Sequence, residues 1–96
     1  MKISAQLTPT SNFILPLLRA LERVGGSAIK IDIYRMLEKQ MDLSPADMEI
    51  TKSGWHRYHI HVNYLVGRMR KAGLLEPGAG DNSLRITAAG MRLIGK

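Results

Sequence analysis

The sequence has no cysteine. That removes a disulfide framework and any thiolate metal site together, and it suits a cytoplasmic protein. It also lacks any apolar stretch near the ~20 residues that a membrane-spanning helix needs. The run Phe13-Ile14-Leu15-Pro16-Leu17-Leu18 is short, contains a proline, and is not followed by the small residues of a signal cleavage site. Missing as well are a nucleophile elbow, a phosphate loop, metal-ligand spacing and paired carboxylates beside a basic group. No enzymatic activity and no cofactor are therefore expected.

Acid is scarce in one half only. Residues 52–96 carry Lys52, Arg57, Arg68, Arg70, Lys71, Arg85, Arg92 and Lys96 against Glu76 and Asp81 alone, whereas the first half is balanced. The formal excess of +6 thus falls in the second half, where His56, His59 and His61 also lie. Such asymmetry points to a polyanion, nucleic acid before an anionic membrane. The basic residues do not face one broad exposed apolar surface, so a membrane partner is not expected.

What is present reads as one domain. Ninety-six residues with 45% apolar content support a single modest core. Residues 1–12 read as a polar arm and 13–96 as the domain. Leu17, Leu18, Leu21 and Val24 follow helical spacing from about Leu15, with Pro16 in the first turn and Gly25-Gly26 as the stop. Ser27–Lys30 is a short edge strand, and a second helix runs from about Ile31 to Met41. Ser44-Pro45-Ala46-Asp47 has a capping serine, a first-turn proline and an acid three residues after the cap, which predicts a short third helix. The longest helix covers about His56 to Ala72, with Tyr58, Val62, Leu65, Val66, Met69 and Ala72 as its apolar stripe, and Gly73 ends it. Two strands, Leu74–Glu76 and Leu84–Thr87, flank a glycine-rich turn, and Thr87 caps a last short helix. The order is that of a winged helix-turn-helix, mainly α with a small β-hairpin.

The stretch Arg70-Lys71-Ala72-Gly73-Leu74-Leu75-Glu76, followed by Leu84-Arg85-Ile86-Thr87-Ala88-Ala89-Gly90, resembles the end of a recognition helix and the closing strand of a wing in bacterial winged helices. Leu15-Pro16-Leu17-Leu18-Arg19-Ala20-Leu21, Gly25-Gly26 and Leu43-Ser44-Pro45-Ala46-Asp47 extend the likeness. Together they resemble the amino-terminal domain of Mrr-type restriction proteins over about Leu15 to Leu93. The chain departs from that family in having Tyr64 where a tryptophan is usual, with its own Trp55 ahead of the long helix. The resemblance implies a target-recognition domain whose nuclease lies in a further domain or subunit in trans, or else a stand-alone transcriptional regulator.

In either case the expected partner is double-stranded DNA, with helix 56–72 in the major groove and wing 74–87 on the backbone. His61, Asn63, Tyr64, Gly67 and Arg68 lie off the apolar stripe. Asn63 suits adenine and Arg68 suits guanine. Arg57, Arg70 and Lys71, with Lys52 before the helix and Arg85 in the wing, are candidate phosphate contacts. For any one of them the plain alternative is a solvated charge. Gly67 in a helix interior costs roughly 0.5–1 kcal/mol, so either DNA or a neighbouring helix approaches there. Trp55 and Tyr58 are expected as core or helix-start anchors, with base stacking as the other use. His56 and His59 share a face but His61 does not, so no metal site is expected. Phe13-Ile14-Leu15 either completes the core or forms a homodimer contact. The competing function is a winged-helix protein-interaction module that binds no DNA.

Overall fold

The computed structural model describes residues 7–95. A 3-10 turn over Thr10–Phe13 leads into α1 (Ile14–Arg23), β1 (Ser27–Ile29) and α2 (Lys30–Gln40). Then come α3 (Arg57–Lys71), the hairpin β2 (Leu75–Pro77) and β3 (Ser83–Ile86), and α4 (Ala88–Leu93). This is the winged helix-turn-helix order. The three strands form one antiparallel sheet in the order β1-β3-β2. The wing's second strand is therefore central, and β1 is an edge, as its brevity suggested.

Periodicity explains the core. Leu17, Leu18 and Leu21 of α1, Ile33 and Leu37 of α2, and Tyr58, Val62, Leu65, Val66 and Met69 of α3 are all buried together. Strand alternation turns Leu75, Leu84 and Ile86 inward onto them and leaves Glu76 and Arg85 outside. Phe13 is fully buried and its ring stacks near-parallel on Tyr58 at 6.1 Å. Of the run 13–15, it is Leu15 that stays exposed. Val24 and Ala72, both assigned to apolar stripes, lie just past their helices and are exposed.

α4 closes the core through a close approach. A Cβ on Gly90 would come within 2.6 Å of the Leu74 carbonyl oxygen and 2.7 Å of Ile86, so only glycine fits there. Thr87 caps the helix as expected, accepting from the Gly90 amide at 3.1 Å and donating its hydroxyl proton to Gly73 O at 2.6 Å.

The helix predicted to start at Ser44 does not form; residues 45–48 make a turn. The capping signature is real, since Ser44 Oγ accepts from the Asp47 amide at 3.1 Å and Asp47 Oδ2 accepts from the Ser44 amide at 2.9 Å. The helix cannot continue because its carbonyls are engaged elsewhere. Asp47 O accepts from the Tyr58 amide, Glu49 O from the Arg57 amide, and Met48 O meets His56 Nδ1. The segment thus satisfies the open amides at the start of α3, which has no side-chain cap of its own. Asp47 is 1% exposed and also accepts the Thr8 amide at 2.8 Å and the Thr8 hydroxyl. Part of the stretch read as a free arm is thereby fixed to the domain; residues 1–6 lie outside the described residues.

Candidate nucleic-acid interface

α3 has two sides. Its buried side is the apolar stripe; opposite it, Ile60, Asn63, Tyr64, Gly67 and Lys71 recur at three- and four-residue spacing, all exposed. Arg68 flanks that row on one side and Arg70 on the other, both exposed. His61 and Arg57 sit at the margin, half-buried. No acidic residue lies on the helix. Arg68 is held by its neighbour: its guanidinium carbon is 5.8 Å from the Tyr64 ring centroid and Nη1 donates to Tyr64 Oη at 3.4 Å. Arg70 and Lys71 have no ion pair among the described residues. They border a groove with Gly67 and the outer edge of β2.

Gly67 has no packing reason among the described residues. Nothing lies within 4 Å of where its Cβ would stand. Of the two causes proposed for a glycine here, contact with a neighbouring element is absent among the described residues.

The remaining candidates divide. Lys52 is exposed in the turn before α3. Arg57 is engaged, donating to Glu49 Oε1 from Nε at 2.9 Å and from Nη2 at 2.7 Å. Arg85 meets Glu76 at 3.4 Å, its directly opposite residue on β2. Asn63 is oriented by two donors, Tyr34 Oη at 3.0 Å and Lys30 Nζ at 3.4 Å, both directed at its carbonyl oxygen.

Of the two aromatic residues expected as anchors, Tyr58 is one in the core and Trp55 is not. Tyr58 is a core anchor; its hydroxyl donates to Glu38 and it is fully buried, and burial with the Glu38 carboxylate pushes the phenol up. Trp55 is 53% exposed and no core anchor. It stands edge-on to His59, and Tyr34 stacks on the same imidazole with ring centroids 4.0 Å apart. His59 is 7% exposed, and neither ring nitrogen has a hydrogen-bond partner. Burial, then the neighbouring His56, lowers its pKa below 6.5, more than Glu38 at 4.0 Å raises it. Its Nε2 faces the Glu38 carboxylate at 4.0 Å, beyond hydrogen-bonding distance. Its three-residue spacing to Val62 was the signal for burial; nothing local indicated Tyr34 or Asn82, which share its surroundings.

Among the described residues no group of three His, Asp or Glu side chains is placed to hold a metal ion, and no helix is long and apolar enough to cross a membrane. The family model described as the Mrr N-terminal domain matches residues 11–96. No curated protein and no solved structure matches the chain.

Proposed function

Because the chain belongs to the Mrr N-terminal domain family, we propose that it binds double-stranded DNA as the target-recognition module of a restriction system. The observation that carries this reading is the outward face of α3: Asn63, Tyr64, Gly67, Arg68, Arg70 and Lys71 are exposed with no acid on the helix. The helix enters the major groove, where Asn63 and Arg68 meet base edges and Arg70 and Lys71 hold phosphates. Lys52 and Arg85 reach the backbone on either side. Arg85 does so by leaving Glu76, and Arg57 joins them only by leaving Glu49. Cleavage is supplied by a nuclease domain or subunit outside residues 1–96, and the domain itself performs no chemistry. A second copy would meet this one through Leu15, the exposed member of its apolar run.

Fluorescence anisotropy of a labelled duplex at several salt concentrations tests the reading. The logarithm of the binding constant should fall linearly with log salt, with a slope of about −0.9 per phosphate neutralised. Absence of binding at low salt rejects it.

A further inference from the structure

Beside the basic face lies a cavity of about 430 Å³ between the start of α2, the first turns of α3 and the tip of the wing. Its walls are aromatic and aliphatic: Tyr34, His59, Trp55 and Ile60. Asn63, Asn82, Lys30 and Asp81 give it a polar edge. We propose that this cavity receives a single unpaired nucleobase of the bound DNA.

The inference rests on the DNA-binding reading and on three further observations. First, the walls match the ligand's chemistry. Planar rings stack on a base whatever its identity, and carboxamides hydrogen-bond its edge. Second, His59 lines the cavity as a buried ring, with Tyr34 stacked on it at 4.0 Å and Trp55 edge-on at 5.6 Å, so the lining already holds clustered rings that a further planar ring extends. Third, the cavity is continuous with the groove-reading face, because Asn63 belongs to both. Its carbonyl oxygen is held by Tyr34 and Lys30, which leaves its amide hydrogens for the ligand. A base that is already unpaired costs least to extrude, so a mismatch or a site facing a gap is the favoured target.

Trp55 is the chain's single tryptophan, so its emission reports on this cavity alone. The full chain is titrated with a paired duplex, with the same duplex carrying one adenine opposite an abasic site, and with adenosine monophosphate. The expected result is quenching of Trp55 by the second duplex and affinity at least about fivefold above the paired one, the low end for a stacked base. Trp55→Leu, an exposed and therefore tolerant position, should abolish that preference in anisotropy while leaving paired-duplex binding unchanged. Ile60→Ala should reduce the preference with Trp55 still present as reporter. Equal affinity for both duplexes with unquenched Trp55 overturns the proposal and leaves the DNA-binding reading standing. Failure of every duplex to bind overturns that reading. Quenching by the mononucleotide without preference for the unpaired base overturns the DNA source and makes this a free-nucleotide site.

Discussion

Tyr34 on α2 donates its phenolic proton to the side-chain oxygen of Asn63 on α3, at 3.0 Å. With Lys30 directed at the same atom, Asn63 is fixed with its amide hydrogens outward. Adenine recognition by asparagine needs both the oxygen and the NH₂ group. In this arrangement Asn63 donates only, and it suits an acceptor such as guanine O6 or a purine N7. Tyr34→Phe should cost about 1 kcal/mol of stability and open one of the two acceptor positions on the oxygen, leaving Lys30 on the other. Site selection with both proteins should then show adenine enriched, opposite Asn63, in the variant alone. Identical selected sites would mean that Asn63 reads no base.

Gly67 separates stability from binding. With open space around it, Gly67→Ala should stabilise the helix by roughly 0.5–1 kcal/mol. The added methyl should at the same time weaken duplex binding severalfold. Thermal denaturation and anisotropy on one sample check both, and unchanged affinity would remove close backbone approach as the reason for the glycine.

Gly90 should behave in the opposite way. A methyl there collides with backbone and core, so Gly90→Ala should destabilise by about 1–3 kcal/mol, read by urea denaturation. Its intrinsic affinity for DNA should be unchanged where the variant is folded.

Charge removal on α3 should act through salt. Lys71→Ala should reduce the salt slope by about one unit and weaken all sequences alike, whereas Arg68→Ala should also relax sequence preference. An unchanged slope for Lys71→Ala places that side chain away from phosphate.

Acid should destabilise the fold in two stages. His59 is held neutral, with its pKa below 6.5 in the folded protein. The unfolded chain takes up the proton first, so stability falls as pH drops from about 6.5 towards the folded value. Burial pushes Asp47 up, but hydrogen bonds from Thr8 and Ser44 outweigh it and hold the carboxyl below its ordinary 3.8. The stability it contributes is present above that value and is lost as pH falls through the lower, folded one. Denaturation midpoints from about pH 7 to about pH 3 should show both losses. His59→Phe should remove the first and Asp47→Asn the second.

The parts of the fold that were legible in the chain are those set by near neighbours. The stripes of α1 and α3, the Thr87 cap and the hairpin depend on contacts a few residues apart. The Ser44–Asp47 signature was also read correctly as a cap, and it misled only because Arg57 and Tyr58 take the carbonyls a helix would need. The burial of Asp47 depends on Thr8, 39 residues away in sequence. The outward placement of Trp55 and the grip of Tyr34 on Asn63 are likewise tertiary, and no local pattern encodes them. The basic face of α3 was visible in the charge pattern; the engagement of Arg57 by Glu49 was not.

The sheet's edges carry one more consequence. β1 has three residues and passes directly into a helix, and β2 has three and ends in Pro77, which offers no amide proton. Among the described strands there is no long edge on which another chain could template itself, so the molecule is guarded against fibril-like growth in concentrated solution.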